Sequence, residues 1–255
     1  MSIKISGVII TYNEEINIAR CIDSLQGLVD EVVVVDSYST DKTKEIALNK
    51  GAVFIENKFK GHIEQKNFAL SQCNSDYVIS LDADEAISQR LKAEILEVKN
   101  SWNHDGYSMP RLSNYCGKWI RHSGWYPDKK IRLFDKTKGS WGGINPHDKV
   151  IMQDVNKVGN LKGDILHYTM NSIEDHIKQL NSFTSIGAKA AYEKGTRSNI
   201  FIIIFSPVLK FFKSYFFQRG FLDGYYGFII CCISSFASFI KYVKIREYQK
   251  GSLKK

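Results

Sequence analysis

Short apolar runs alternate with helix-like segments over the first third of the chain. The runs have the length and β-branched content of strands, and they cover residues 5–11, 32–35, 52–56 and 77–81. The intervening segments carry apolar residues at helical spacing, first at Ile16, Ala19, Ile22 and Leu25 and then near 42–49 and 64–72. Strand–helix repetition with short connections predicts a parallel sheet with helices on both faces.

The pattern changes after residue 105. Short strands with aromatic and glycine residues predict an irregular lobe up to residue 168. Ser172, with Asp175 three positions later, is typical of a helix N-terminus, and the helix is expected to end at Gly195. On one of its faces this helix carries Ile173, Ile177, Leu180 and Thr184. We therefore predict an α/β catalytic domain over residues 1–170 and a helical region over 171–255.

The C-terminal region is apolar, aromatic and basic. Residues 200–205 are all apolar, and residues 224–240 hold no charge. Lys and Arg flank this uncharged stretch on both sides, which disfavours a single membrane crossing. The pattern favours helices that lie in the interface of an anionic membrane or re-enter it, with a spanning helix and burial in a homo-oligomer as alternatives.

The net charge of +8 is concentrated at one end of the chain. Residues 189–255 hold 12 Lys and Arg against 3 Asp and Glu, so the remainder is almost neutral. This distribution argues against a nucleic-acid partner, whose basic footprint should cover the folded domain. The five cysteines have no C-x-x-C spacing, and the N-terminus has no signal-peptide pattern. Both features predict a reducing, cytoplasmic location.

Three polar clusters follow predicted strands, so they should meet at the carboxyl edge of the sheet. They are Thr11-Tyr12-Asn13-Glu14-Glu15, Asp36-Ser37-Tyr38-Ser39-Thr40-Asp41 and Asp82-Ala83-Asp84. Two carboxylates one residue apart can share Mg²⁺ or Mn²⁺ and a ribose or diphosphate oxygen. Asp36 suits a nucleobase or ribose, Tyr12 a base face, and Lys66 a diphosphate. The structural alternatives are solvated turns for the carboxylates, strand-end packing for Tyr12 and an exposed helix cation for Lys66.

Taken together, these motifs resemble the family 2 inverting glycosyltransferases of the GT-A fold. Within that family the chain is most similar to the lipopolysaccharide-core heptose β-glucosyltransferases and their relatives. Further motifs carry this similarity: 120–128 (Ile-Arg-His-Ser-Gly-Trp-Tyr-Pro-Asp), Arg132-Leu133-Phe134, His147-Asp148, 163–168 (Gly-Asp-Ile-Leu-His-Tyr) and 219–224 (Arg-Gly-Phe-Leu-Asp-Gly). The resemblance covers residues 3 to about 248. It implies a GT-A α/β sandwich followed by a C-terminal helical membrane-associating tail.

The resemblance also implies site roles. The nucleotide-sugar site would be lined by Thr11, Tyr12, Asn13, Glu14, Asp36, Ser39, Lys66, Asp82, Ala83 and Asp84. Asp84 and His167 would hold Mn²⁺ or Mg²⁺, and Asp148 would be the catalytic base, although the subgroup usually has Glu at that position. The acceptor side would include Trp125, Tyr126, Arg132 and His147.

The implied reaction is transfer of a sugar, with glucose from UDP-glucose as the family-level expectation, onto a lipid-linked acceptor such as the lipopolysaccharide core. It would take place at the cytoplasmic face of the bacterial inner membrane. A polyprenyl-phosphate sugar transferase and a non-catalytic, membrane-tethered nucleotide-sugar-binding subunit are the alternatives. A nucleotidyltransferase is disfavoured, because 11–15 lacks the glycine-rich loop expected after its first strand.

Overall fold

The structure is a computed structural model that describes residues 3–145 and 147–251, apart from the side chain of His147. It divides into two compact units, Met1–Leu112 with Pro127–Tyr168, and Ser113–Tyr126 with Thr169–Lys255. The segment Ser113–Tyr126, which the sequence assigned to the first domain, thus belongs to the second unit.

The strands and helices follow one another along the chain in the order given next. They are β1 (Ile5–Thr11), α1 (Ile18–Leu25), β2 (Glu31–Asp36), α2 (Thr43–Asn49), β3 (Val53–Glu56), α3 (His62–Ser71), β4 (Tyr77–Asp82), β5 (Glu85–Ile87), α4 (Gln89–Asn100), β6 (Gly106–Tyr115), β7 (Lys118–Ile120), β8 (Asp128–Asp135), β9 (Gly139–Ile144), β10 (His147–Met152), β11 (Val158–Asn160), β12 (Ile165–Met170), α5 (Ile173–Glu193), α6 (Ile200–Phe212) and α7 (Gly224–Gln249). Short 3₁₀ turns occupy Val155–Lys157 and Gly220–Asp223, and a π-helical turn occupies Lys213–Phe217.

The main sheet of the first unit is parallel on one side and antiparallel on the other. Its strand order is β3-β2-β1-β4-β8-β6-β12-β5, with β11 beside β6. The four strands predicted from the sequence, β1 to β4, form the parallel part, as expected. In this register Thr11 pairs with Asp36 and Ile10 with Asp82, so the three polar clusters end at one edge.

Alternating side chains of the central strands pack on opposite faces of this sheet. In β2, Val34 joins the core formed with α1, α2 and α4, whereas Val33 and Val35 join the core formed with α3, β9 and β10. A strand that is covered on both faces needs apolar side chains at consecutive positions, which is why 32–35 is an unbroken β-branched run.

The buried faces of two helices differ in part from the apolar positions that the sequence pattern places on each helix. Ile16 lies before α1 and is 72% exposed, and the buried face of the helix is Ile18, Cys21, Ile22 and Leu25. Ile173 and Ile177 are also exposed, because α5 buries His176, Leu180, Thr184 and Ala188 instead.

The helical part of the second unit begins as the sequence predicted. The Ser172 side chain accepts a hydrogen bond from Asp175 N, and α5 ends two residues before Gly195, which has a φ of +89°. The α6 and α7 helices are long and apolar enough to be candidate membrane spans together with their adjoining turns. Composition alone does not distinguish such helices from buried ones.

The loop that precedes β12 packs tightly on the start of α4 within the first unit. Glu94 accepts hydrogen bonds from Lys162 N and Gly163 N at 2.7 and 3.0 Å. A Cβ atom on Gly163 would lie 2.3 Å from Leu91 N, which is closer than any real contact. The position therefore requires glycine because of space rather than because of its backbone angles.

We predict that Gly163→Ala lowers the free energy of unfolding by about 2 kcal/mol, the usual size of an overpacking penalty. The expected fall in the thermal midpoint is roughly 5 °C, measured by circular dichroism. Gly187→Ala is the control, since no atom lies within 4 Å of its added Cβ and alanine favours the helix interior. An unchanged midpoint for Gly163→Ala would show that the loop shifts to accommodate the methyl group without loss of stability.

Candidate active site

Hydrogen bonds join the loops that follow β1 and β2. Asn13 N donates to Ser39 Oγ at 2.7 Å, and Thr40 N donates to Asn13 Oδ1 at 2.8 Å. Glu14 N donates to Thr43 Oγ1 at 2.8 Å. Asn13 adopts a left-handed φ of +52°, which asparagine tolerates better than most residues. The two loops thus form a single polar rim at the end of the parallel strands.

Asp36 holds the loop that follows β2 in this rim. Its carboxylate is 1% exposed, and it accepts hydrogen bonds from the backbone N–H and the hydroxyl of Ser39. Thr11 Oγ1 is also buried, and it has no hydrogen-bond partner among the described residues. Tyr12 is 58% exposed, so its ring is not packed at the strand end.

Lys66 is a buried cation at the centre of the site. It lies on α3, is 3% exposed, and places Nζ 2.8 Å from Asp82 Oδ1 and 2.7 Å from Asp148 Oδ2. The ring of Trp141 lies under the ammonium group, 4.1 Å from ring centroid to Nζ. The exposed-cation alternative for Lys66 is therefore wrong, and the residue joins the predicted base to the predicted nucleotide site.

Arg132 and Glu85 extend the charge pairing behind Asp82. The guanidinium of Arg132 is almost enclosed, and its Nη2 lies 2.9 Å from Asp82 Oδ2 and 2.8 Å from Glu85 Oε1. Arg111 pairs with the same Glu85 oxygen at 3.3 Å and with Asp128 at 2.7 Å. Charges of alternating sign therefore run from Asp128 through to Asp148.

This pairing keeps the central carboxylates ionised. Burial alone would raise the pKa of Asp82, but Lys66 and Arg132 lower it well below its usual range. The pKa of Glu85 is lowered in the same way: burial is outweighed mainly by Arg132. Arg132 itself is held in the charged form by Glu85 and Asp82, which overcome its burial and raise its pKa.

Asp84 and His167 face each other as the sequence predicted. His167 Nε2 lies 3.2 Å from Asp84 Oδ2, and Tyr168 N donates to Asp84 O at 2.9 Å. Burial, followed by the nearby Asp84 and Asp41 charges, raises the pKa of Glu14. The described residues include no cluster of three or more His, Cys, Asp or Glu side chains suited to a metal. One carboxylate and one imidazole beside excess negative charge fit a cation that takes its other ligands from a substrate.

The other predicted site residues lie in different places. Trp125 and Tyr126 belong to the second unit, where the ring of Trp125 packs edge-on against Tyr115 at 5.8 Å. The side chain of His147 lies outside the described part of the structure. The acceptor-side role of Arg132 stays a prediction, and the structure adds a second role, because its guanidinium holds Asp82.

The sequence analysis did not assign a role to three residues of this site: Asn67, Glu85 and Trp141. Asn67 fixes β9 by accepting from Trp141 N at 3.0 Å and donating to Trp141 O at 2.9 Å.

Comparison with known proteins gives the family of this chain. The model of the family described as "Glycosyl transferase family 2" matches residues 6–159. An uncharacterized glycosyltransferase of Rickettsia typhi is 38% identical over 254 residues, which cover 96% of this chain and 87% of the relative. The lipopolysaccharide core biosynthesis glycosyltransferase LpsC of Rhizobium meliloti is 28% identical over 259 residues, which cover 99% of this chain and 94% of the relative.

Among solved structures, glucosyl-3-phosphoglycerate synthase of Mycobacterium tuberculosis matches over 44% of each chain, with 26% identity and a TM-score of 0.35. A likeness this small has no bearing on the donor or the metal of this chain. The match to the family over more than half of the chain, together with the relatives of nearly equal length, shows that this protein belongs to glycosyl transferase family 2 and has its GT-A-type α/β fold.

Proposed function

We propose that the protein is an inverting, metal-dependent hexosyltransferase that moves glucose from UDP-glucose onto a lipid-linked saccharide, such as the lipopolysaccharide core. The observation that carries the proposal is Lys66, which is buried between Asp82 and Asp148. A cation in this position links the diphosphate end of a donor site to a carboxylate that is able to act as a base. The name of the LpsC relative supports the lipopolysaccharide acceptor.

The donor would lie along the rim formed by the hydrogen-bonded loops that follow β1 and β2. Tyr12 offers its exposed ring to the base, and the loop fixed by Asp36 and Ser39 would surround the nucleoside. Asp82 would bind ribose or the donor sugar, because Arg132 and Lys66 hold its carboxylate charged and oriented. These contacts would place the anomeric carbon beside the acceptor, and holding both reactants in line would supply much of the rate.

Asp84 and His167 would hold Mn²⁺ or Mg²⁺ together with the donor diphosphate. When bound, this ion would stabilise the charge that develops on the leaving nucleoside diphosphate. Lys66 would stabilise the same charge from the protein side.

Asp148 would take the proton from the acceptor hydroxyl as that oxygen attacks the anomeric carbon. Its side chain is 11% exposed, and Lys66 orients its carboxylate from one side. A single displacement inverts the anomeric centre, so an α-linked donor yields a β-linked product. Trp125 and Tyr126 of the second unit, with His147, would contact the acceptor.

The donor and the metal are tested by measuring nucleotide release from UDP-, GDP-, CMP- and dTDP-sugars, with Mn²⁺, with Mg²⁺ or with EDTA. We expect slow hydrolysis of one UDP-sugar that stops with EDTA and falls at least 100-fold in Asp84→Ala. Asp76→Ala is the control, since its exposed side chain lies at the opposite end of β4. If no donor is hydrolysed and no nucleotide binds in a metal-dependent way, the binding-subunit alternative would replace the catalytic one.

We expect Asp148→Asn to lower kcat for hydrolysis and transfer by roughly 100-fold or more, the usual loss when a general base is removed. The donor dissociation constant should change less than about threefold, because Asp82 still pairs with Lys66. Transfer of radiolabelled sugar to a bacterial lipid extract gives the rate, and calorimetry gives the binding. Asp76→Asn is the matched control.

The two outcomes that count against this assignment are distinct. Turnover like the wild type in Asp148→Asn removes Asp148 as the base. A product in which the label is linked directly to polyprenyl phosphate favours the polyprenyl-phosphate sugar transferase over the lipid-linked saccharide acceptor.

A further inference from the structure

The α6 helix has almost no cover from the rest of the second unit. None of its 13 residues is buried, although only one of them carries a charge. Of the 18 residues from Ile200 to Phe217, 6% are buried. An apolar helix in a folded protein normally buries at least one face, so this helix requires a partner that is not part of its own unit.

The exposed apolar side chains of α6 and of the π-helical turn after it form a continuous stripe. They recur on adjoining turns and are Ile200, Phe201, Ile204, Phe205, Val208, Leu209, Phe212, Phe216 and Phe217. At 1.5 Å per residue the stripe is about 27 Å long. A second stripe, on α7 and the 3₁₀ turn before it, contains Phe221, Leu222, Tyr225, Phe228, Phe236 and Phe239. We call the two stripes together the apolar face.

The two helices lie side by side and run in opposite directions. Ser206 and Ser238 share a hydrogen bond between their hydroxyls, and Ser235 Oγ donates to Pro207 O at 2.6 Å. Near the turn that joins the helices, the rings of Phe211 and Phe228 meet at 6.1 Å. The two helices therefore form one hairpin, and the serine hydroxyls between them find hydrogen-bond partners within it.

Cations lie at both ends of this hairpin. Lys210, Lys213 and Arg219 are exposed near the closed end, whereas Arg197 and Lys241 lie near the open end. Between residues 197 and 246 the sequence has seven Lys and Arg and one acid. That acid, Asp223, is buried and accepts hydrogen bonds from Arg121 N and His122 N. The exposed charge from residue 197 to residue 246 is therefore positive only, and the exposed acids Glu193 and Glu247 lie just outside that range.

A spanning arrangement conflicts with the position of Lys210. Ten residues after Ile200, this cation would lie about 15 Å along the helix, near the centre of a hydrocarbon layer about 30 Å thick. A lysine there costs about 3 kcal/mol even on the mildest scale. A second copy of the chain packed in parallel through α6 is also disfavoured, because that contact would bring Lys210 and Lys213 of both copies together.

We propose that the apolar face is a membrane-docking surface, on which the α6–α7 hairpin lies in the plane of an anionic lipid surface. The aromatic and aliphatic side chains enter the outer hydrocarbon, while the cations at both ends contact lipid phosphates. The long stems of Lys210 and Lys213 allow their ammonium groups to reach the headgroups. This extends the proposed function by supplying the surface through which the enzyme meets a lipid-linked acceptor.

The test is binding of the full-length protein to sealed vesicles of phosphatidylcholine with or without 30% phosphatidylglycerol, measured by flotation without donor. We expect binding to the anionic vesicles at least tenfold tighter than to the neutral ones, weakening as salt rises. The double variant Phe201→Asp/Leu209→Asp should bind at least tenfold more weakly, and Lys210→Glu/Lys213→Glu should lose the preference for anionic lipid. Val155→Asp and Lys138→Glu, exposed in the first unit, are the matched controls and should bind like the wild type.

A membrane-impermeant amine reagent separates the in-plane arrangement from a spanning one. Lys210 and Lys213 of vesicle-bound protein should react from outside, as found by mass spectrometry, and their protection would overturn the in-plane arrangement. Absence of vesicle binding, with dimers that Phe201→Asp/Leu209→Asp dissociates in the ultracentrifuge, would identify a second copy as the partner instead. Hydrolysis of the soluble donor is measured on the same samples, so failure of docking and failure of the proposed catalysis are distinguishable.

Discussion

The ammonium group of Lys66 lies between two carboxylates, and the rest of the site depends on this contact. Burying a lysine is costly unless its charge is paired, and here Asp82 and Asp148 pair it while the ring of Trp141 covers one side. The two carboxylates come from distant strands, so this contact sets the spacing between β4 and β10. Removing one of the two carboxylates would leave Lys66 with a single charged partner.

The same reasoning explains the layer behind Asp82. Asp82 lies 2.8 Å from Lys66 and 2.9 Å from Arg132, so it attracts both cations. Glu85 also pairs with Arg132, and this second contact holds the guanidinium in place. Arg111 in turn balances Glu85. Alternating charges of this kind confer little net stability but strongly restrict geometry, which is the property that a site for a charged donor requires.

The two units bury their apolar residues in different ways. The first unit uses both faces of a parallel sheet, so that consecutive valines of β2 enter opposite cores. The second unit leaves α6 without a buried residue, although this helix is more uniformly apolar than any sheet-covering helix. Hydrophobicity alone therefore does not locate the core, because an apolar helix is stable wherever water is excluded, whether by protein or by lipid.

The sequence by itself determined the four parallel strands, the family and the polar clusters at the strand ends, because these depend on local periodicity and on short spacings. It also predicted the Ser172 cap and the pairing of Asp84 with His167, the latter through the family resemblance. Only the tertiary structure decided that Lys66 is buried rather than exposed, since its partners lie 16 and 82 residues away. It likewise decided which faces of α1 and α5 are buried, because several apolar stripes fit one helical pattern and only the packed neighbours select among them.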